Sequence, residues 1–315
     1  MPIPPPIHWG AEALWQQLEP LLPGLSVEVV ARTASTNSAL LARARAGAES
    51  EAGAGASGDA GVQVRRSVES GAFGRRTIDR QPGLLVAEQQ TAGRGRQGRP
   101  WHSAQLASLT FSLGLPLAAA DWSGLSLAVG VALCDALDPR PGSPPAEAAA
   151  RHLGLKWPND LWLLEGPVGA APGGPATGRK LGGILIETVS AGSQRFVVIG
   201  VGLNLTRFDA GPVNTGFAAL QELDPALDAP AALARVALPL VLALQQFERE
   251  GFAAFAARFA ARDLLRGRSV RTTLAEAPEG IARGVSAHGE LLVDTGSGSV
   301  SVASGEVSVR PAPAA

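Results

Sequence analysis

The segment Gly93–Trp101 reads GRGRQGRPW and brings three glycines, three arginines and a tryptophan together within nine residues. It matches the G-x-G-x-x-G pattern of dinucleotide-binding turns, but that turn requires a helix directly after the glycines. An alternating, strand-like run, Ser108–Leu115, comes next instead. The pattern therefore predicts an exposed loop whose glycines allow close backbone approach and whose guanidinium groups neutralise a phosphate.

Three further segments carry the residue types of a ligand site. Lys156–Trp162 (KWPNDLW) places a lysine beside a rigid Trp-Pro step. Arg179–Glu187 (RKLGGILIE) leads a basic pair into an apolar strand, and Gly200–Leu205 (GVGLNL) has glycines inside a strand. Glycine weakens a strand unless a group must approach the backbone closely. Asn204 needs a partner, which is either a ligand or the backbone.

The charge of the chain excludes one class of partner. Among 315 residues, 27 Lys and Arg residues against 28 Asp and Glu residues give a formal net charge of -1. A charge near zero argues against binding of nucleic acid or anionic lipid by bulk electrostatic attraction. Arginine supplies nearly all the positive charge, because Lys156 and Lys180 are the two lysines of the chain. Both lie in the segments just described.

The cysteine, the histidines and the hydropathy pattern indicate which metal sites and which cellular location to expect. Cys134 is the single cysteine, so an intramolecular disulfide and a multi-cysteine metal site are excluded. The four histidines lack ligand spacing, so we expect no metal site built by the protein. The apolar run Ala231–Leu244 contains Arg235 and Pro239, so we expect no membrane span there. Met1–Pro6 lacks the layout of a secretion signal. We expect a soluble cytoplasmic protein.

Changes in composition predict two domains. Residues 1–262 carry helix and strand patterns, whereas residues 263–315 carry the short strands and turn signals of a small all-β unit. Ser35–Ser38 predicts a capped helix start. Between about residues 46 and 80 the composition reduces to Gly, Ala, Ser and charged residues, which predicts a mobile insertion.

In order and spacing, these segments, together with Ser35-Thr36-Asn37 and Glu88-Gln89-Gln90, resemble the biotin protein ligase family from about Val27 to Arg310. The resemblance implies an α+β fold. This fold has a central mixed sheet flanked by helices, related to class II aminoacyl-tRNA synthetases and lipoate ligases, and a small C-terminal SH3-like β-barrel. It also implies that biotin's carboxylate attacks the α-phosphorus of ATP to give biotinyl-5′-AMP. A lysine of a biotin carboxyl carrier protein, such as that of acetyl-CoA carboxylase, then attacks this anhydride.

The resemblance also implies roles for individual residues. Lys156 and Arg96 are the implied catalytic residues: Lys156 touches the biotin carboxylate and the α-phosphate, and Arg96 holds the adenylate. The implied biotin-binding residues are Ser35, Thr36, Asn37, Gln90, Gly93, Arg94, Gly95, Arg96, Lys156, Gly200 and Gly202. The implied ATP-binding residues are Arg94, Arg96, Trp101, Lys156, Lys180, Asn204 and Arg310.

These assignments fit the chemistry. A carboxylate and a polyphosphate repel each other, so cations must be in place before they react. Arg94, Arg96 and Lys156 meet that need, with Mg²⁺ bridging the phosphates. The ureido ring of biotin needs matched donors and acceptors when it is desolvated.

Two alternatives remain open on sequence alone. A lipoate or octanoate ligase shares the fold, although the glycine–arginine loop and Gln90 favour biotin. A nucleic-acid-binding module would use the Arg, Gly and Trp residues of the loop, which the neutral charge disfavours. The stretch before Ser35 is too short for a winged-helix domain, so we expect no DNA binding. The oligomeric state is not fixed by the sequence, and a homodimer is one option.

Overall fold

The structure is a computed structural model that describes most of the chain. It covers residues 7–53, 72–73, 81–138, 151–166, 178–191, 194–208, 216–303 and 309–311. Most of the predicted insertion and the predicted loops around residues 139–150 and 167–177 lie outside these ranges.

The N-terminal elements confirm the predicted helix start. Helix α1 (Ala11–Leu18) precedes strand β1 (Ser26–Thr33), which leads into helix α2 (Thr36–Gly53). The Ser35 hydroxyl accepts a hydrogen bond from the Ser38 backbone N–H at 3.4 Å, as expected of a residue that caps a helix. Helix α2 continues several residues into the segment predicted as an insertion.

The central sheet has eight strands in the order β2-β1-β3-β6-β10-β9-β8-β7. Strands β1 and β3 are parallel and the other neighbours are antiparallel, so the predicted mixed sheet is confirmed. The remaining strands of this sheet are β2 (Ala72–Phe73), β3 (Gly83–Gln90), β6 (Ser108–Pro116), β7 (His152–Lys156), β8 (Asp160–Leu164), β9 (Gly178–Ala191) and β10 (Gln194–Asn204).

Helices cover both faces of this sheet. Along β10, Val197 and Ile199 pack in the larger core with α1, α3 (Leu125–Leu137) and α4 (Ala229–Glu250). The alternate residue Val198 packs in a smaller core with α2. Successive side chains of a strand point to opposite faces, so β10 contributes to both cores.

Helix α4 is the longest helix among the described residues. It runs through Pro239 without ending there and spans 22 residues, long and apolar enough by length and composition to cross a membrane. Most of its apolar residues, including Leu233, Val236 and Leu240, are buried in the larger core. These contacts are typical of the core helix of a globular domain.

The C-terminal region forms a separate antiparallel sheet, as predicted for an all-β unit. Its five strands lie in the order β14-β13-β12-β11-β15. Among the described residues, β14 and β15 form no pairing with each other, so this sheet is open rather than a closed barrel. The strands are β11 (Ser269–Thr272), β12 (Glu279–Val285), β13 (Leu291–Thr295), β14 (Gly298–Val302) and β15 (Val309–Pro311). Short helix α5 (Ala256–Ala260) precedes them.

The two sheets share one core. Buried residues of the C-terminal sheet, such as Val270, Leu291 and Val293, belong to the same cluster as α3 and α4. The C-terminal unit is therefore packed against the larger domain.

Candidate active site

A group of polar side chains lies where α2 begins beside β3 and β6. The carboxamide oxygen of Gln90 accepts hydrogen bonds from the Thr36 backbone N–H at 2.8 Å and from its hydroxyl at 3.2 Å. The Ser112 hydroxyl lies 2.6 Å from both Thr36 Oγ1 and Asn37 Oδ1. We call Ser35, Thr36, Asn37, Gln90 and Ser112 the polar floor.

The sequence prediction missed Ser112. It lies on β6, where Ser108, Thr110 and Ser112 alternate with apolar residues, and it is fully buried, yet its hydroxyl contacts two of the predicted residues. A buried hydroxyl needs partners, and this alternation of polar residues along β6 was the signal available. The alternation of that strand does not show which neighbouring strand its hydroxyl meets.

Glu187 is the second residue that the prediction missed. Its carboxylate accepts a hydrogen bond from Asn37 Nδ2 at 3.0 Å, and Arg94 Nη2 lies 3.2 Å from both carboxylate oxygens. Asn37 also donates to the Leu185 carbonyl at 3.1 Å. Asn37 therefore joins α2 to β9, and its predicted contact with a ligand stays a prediction.

The glycine–arginine loop (Gly93–Arg99) is the turn of a short β-hairpin rather than a Rossmann turn. Gly93–Arg94 and Pro100–Trp101 pair as β4 and β5, with a single 3-10 turn between them. No helix follows, since β5 is next, so rejection of the dinucleotide fingerprint is confirmed. Gln97 has a φ of 56° and Gly98 a φ of 69°, which closes the turn.

Three glycines, which have no side chains, lie on one face of the sheet beside the polar floor. Gly200 and Gly202 lie two residues apart on β10, so they face the same way, and Gly183 on β9 pairs directly with Gly202. A Cβ atom at Gly200 would collide with the Asn37 side chain. A Cβ atom at Gly202 would lie 2.5 Å from the Trp101 indole. The close approach that the sequence predicted is made here by side chains of the protein itself.

Trp101 covers this glycine face. Its indole packs over Gly202. Within the described residues, Trp101 Nε1 is buried and has no hydrogen-bond partner. A buried donor without a partner is costly, so this N–H is available to a ligand acceptor.

A cluster of charged residues lies at the far end of the glycine face. Lys180 Nζ donates to Asp160 Oδ1 at 2.7 Å, and Gly183 lies beside both side chains. Lys156 ends β7 directly opposite Asp160. Lys180 thus contacts the Asp160 carboxylate, and Lys156 is the cross-strand neighbour of Asp160.

Arg96 reaches the same cluster from the loop. Burial is the main cause that lowers the pKa of its guanidinium; the Asp160 carboxylate acts in the opposite direction, and the Arg99 charge lowers the pKa further. A guanidinium stays charged even when its pKa falls somewhat. Arg96 therefore brings a partly desolvated positive charge toward Asp160.

Two of the predicted ATP-binding residues have less support from the structure than the others. Asn204 is buried and donates to the Ala218 carbonyl at 3.1 Å, so its amide serves the backbone here. The side chain of Arg310 lies outside the described residues. Both roles stay predictions.

The described residues contain no group of three His, Cys, Asp or Glu side chains placed to hold a metal ion. Cys134 is buried in α3, where burial raises the pKa of its thiol to about 12. At that pKa it is a neutral core residue rather than a nucleophile.

Two family models match the chain. That of the biotin/lipoate A/B protein ligase family matches residues 74–204. That of the biotin protein ligase C terminal domain matches residues 267–310. The first match lies within the part of the chain that forms the central sheet, and the second overlaps the C-terminal sheet.

Individual relatives agree with these matches. The biotin–[acetyl-CoA-carboxylase] ligase of Mycobacterium tuberculosis is 35% identical over 308 residues, which cover 95% of this chain and 91% of that protein. The bifunctional ligase/repressor BirA of Escherichia coli is 34% identical over 233 residues, which cover 72% of this chain and 66% of that protein.

Solved structures share the fold. The biotin protein ligase from Aquifex aeolicus in complex with biotin and ATP aligns with a TM-score of 0.63 at 22% identity. The alignment covers 91% of this chain and 99% of that one.

Proposed function

The chain belongs to the biotin protein ligase family, and we propose that it uses ATP to activate biotin and then attaches biotin to a lysine of a carrier protein. The observation that carries this proposal is the arrangement along the glycine face. The polar floor lies at Gly200, the Trp101 indole at Gly202, and the charged cluster beside Gly183. One ligand spanning the polar floor and the charged cluster would meet neutral polar groups at one end and cations at the other.

The polar floor supports the choice of biotin. A ureido group offers two N–H donors and one carbonyl acceptor, all of which need partners when water is removed. Hydroxyl and carboxamide groups of Ser35, Thr36 and Gln90 are of the matching types. Gly93 lies close to Gln90 Nε2, so the glycine–arginine loop borders this end.

The charged cluster supports the activation step. A biotin carboxylate oxygen attacks the α-phosphorus of ATP, the new P–O bond forms, and the bond to pyrophosphate breaks. Lys156, Arg96 and Arg94 reduce the repulsion between carboxylate and phosphate, which is electrostatic stabilisation by groups already in place. Trp101 offers an aromatic surface for adenine.

The second step transfers the acyl group. The amine of a carrier lysine attacks the acyl carbon of biotinyl-5′-AMP, the C–N bond forms, AMP leaves, and the nitrogen loses a proton. Because the mixed anhydride is open to hydrolysis, the glycine–arginine loop covers it until the carrier arrives. The carrier is the biotin carboxyl carrier protein of acetyl-CoA carboxylase or a related enzyme, and the reaction takes place in the cytoplasm.

Mg²⁺ fits this site as a partner of ATP. It is commonly bound by one or two carboxylates together with substrate phosphates, and Asp160 is the carboxylate of the charged cluster. When bound, Mg²⁺ neutralises phosphate charge.

We further propose that the larger domain belongs to the class II synthetase-like architecture. The C-terminal sheet would then be the counterpart of the SH3-like barrel, with described strands that do not close into a barrel.

The proposal is tested by biotin-dependent exchange between pyrophosphate and ATP. We expect exchange with biotin and none with lipoate or octanoate, followed by biotin transfer to an apo carrier domain. Exchange that depends on lipoate or octanoate instead would assign the chain to the other branch of the fold. Absence of exchange with all three acids would remove the activation step.

A further inference from the structure

The residues on both sides of Lys156 contact the C-terminal part of the chain. On one side, Leu155 forms two backbone hydrogen bonds with the segment that joins the two domains. Its N–H donates to the Arg262 carbonyl at 2.8 Å, and its carbonyl accepts from the Leu264 N–H at 2.9 Å. These bonds extend the sheet edge at β7 onto that segment.

On the other side, Trp157 contacts the turn between β12 and β13. Trp157 is fully buried, and its Nε1 donates to the Gly289 carbonyl at 3.0 Å. The turn, residues 286–290, also approaches the larger domain through His288, whose Nδ1 lies 3.1 Å from Asp121 Oδ2. We call residues 286–290 the bracing turn.

Gly289 allows this contact because no side chain is present. Its φ is 78°, and an added Cβ would lie 2.6 Å from the Cα atom of Gly124, just before α3. Two backbones meet at this point, so neither can yield by rotating a side chain. Any side chain at Gly289 would push the bracing turn away from the larger domain.

The larger domain also contacts the residues that follow Lys156. The Ser126 hydroxyl of α3 donates to the Pro158 carbonyl at 2.9 Å. Asn159 exchanges hydrogen bonds with Ile184 of β9 at 2.7 and 2.9 Å. The residues that follow Lys156 are thus fixed between α3, β9 and the bracing turn.

We propose that the C-terminal sheet positions Lys156 for the activation step, and that Gly289 is the positioning residue through which it acts. This inference rests on the proposed function, in which Lys156 contacts the carboxylate and the α-phosphate. Displacement of a reacting group by about 1 Å can slow a reaction about a hundredfold. The C-terminal sheet therefore contributes to a step in which no carrier protein takes part.

The test compares two glycine-to-alanine variants of the C-terminal sheet. Gly289→Ala moves the bracing turn. Gly284→Ala is the matched control, because Gly284 also has a positive φ, 106°, but an added Cβ there would meet no atom within 4 Å. Both variants carry backbone strain, and only one disturbs the contact with the larger domain. Biotin-dependent pyrophosphate exchange is measured without carrier, together with the melting temperature.

We expect Gly289→Ala to lower kcat for exchange between about tenfold and a hundredfold, with KM for biotin within about twofold of wild type because the polar floor is untouched. Gly284→Ala should keep wild-type kcat. Equal kcat in the two variants would overturn the inference. Exchange by the wild-type protein in the same experiment would still support the proposed function. Absence of exchange in the wild type would instead refute the proposed function.

A second variant decides the matter if Gly289→Ala does not fold. Trp157→Phe removes the N–H that reaches Gly289 and keeps an aromatic ring in the core. A folded Trp157→Phe protein with reduced kcat and unchanged KM for biotin supports the inference. Wild-type kcat in that folded variant contradicts it.

Discussion

Arg94 Nη2 lies 3.2 Å from both carboxylate oxygens of Glu187, and this ion pair ties the glycine–arginine loop to β9. Because the same carboxylate accepts a hydrogen bond from Asn37, it connects the loop to the polar floor. The position of the glycine–arginine loop and the position of Asn37 in the polar floor are therefore linked through the Glu187 side chain.

Replacement of Glu187 by Gln should weaken biotin binding. The variant keeps an oxygen for Asn37 but loses the charge that holds Arg94. Since the Arg94 side chain is 45% exposed, the expected rise in KM for biotin is modest, about fivefold, with little change in kcat. Steady-state exchange kinetics measure both. Glu279→Gln, which breaks an exposed ion pair of the C-terminal sheet, is the control, and a wild-type KM in Glu187→Gln would show that the pair is dispensable.

The glycine–arginine loop should become protected when both substrates bind. Trypsin cleaves after arginine unless proline follows, so the exposed Arg94 is a cleavage site in this loop, whereas the bond between Arg99 and Pro100 resists cleavage. Biotin together with ATP should slow cleavage in this loop about tenfold, because the loop orders over the adenylate. Time courses with each ligand alone provide the controls. Equal cleavage rates in all samples would argue against loop closure.

Lys156→Ala should reduce exchange by at least about a hundredfold, the typical effect of removing one group that stabilises charge in the transition state. The melting temperature should stay near that of the wild type, since the side chain lies at the end of β7. Arg271→Ala, which removes an exposed cation of the C-terminal sheet, serves as the control. Exchange at the wild-type rate would exclude Lys156 from the reaction.

Asp263 should make stability depend on pH. Its Oδ2 atom is buried in the segment that joins the two domains, and burial raises the pKa of its carboxyl to about 6, although backbone N–H groups oppose this shift. An unfolded Asp ionises near pH 3.9. Between about pH 4 and 6 the folded state keeps a proton that the unfolded state has lost, so this residue lowers stability as pH rises through that window.

Asp263→Asn should therefore stabilise the protein more at pH 7.5 than at pH 4, by an amount on the order of 3 kcal/mol at most. Thermal unfolding at the two pH values measures the difference. Asp294→Asn should show the opposite sign, because a hydrogen bond from Arg283 lowers the pKa of Asp294. An identical difference between Asp263→Asn and the wild type at both pH values would show that the carboxyl is not shifted.

The elements that depend on local pattern were predictable from the sequence. The Ser35 cap, the strand-like run after the loop and the antiparallel C-terminal strands follow from turn chemistry and alternation. Helix α4 continues through Pro239 because burial of its apolar face outweighs a local signal for interruption. Local pattern alone therefore located the cap and the strands, whereas the continuity of α4 depends on its packing.

Contacts between distant segments were not predictable. Glu187 and Ser112 are polar residues in largely apolar strands, and the register of β6, β10 and β9 decides which partners they meet. The hydrogen bond from Trp157 to Gly289 joins residues 132 positions apart. No periodicity in the sequence signals such a contact.

Positive charge supplied by the glycine–arginine loop is the feature on which the proposed activation chemistry depends. The most direct measurement is biotin-dependent pyrophosphate exchange by the Arg94→Ala/Arg96→Ala double variant. An Arg271→Ala/Arg283→Ala double variant, which removes two exposed arginines of the C-terminal sheet, is measured in parallel. We predict that the loop variant loses at least about a hundredfold in kcat/KM while the control keeps wild-type activity. Equal, wild-type exchange in both variants would contradict the proposed role of the loop.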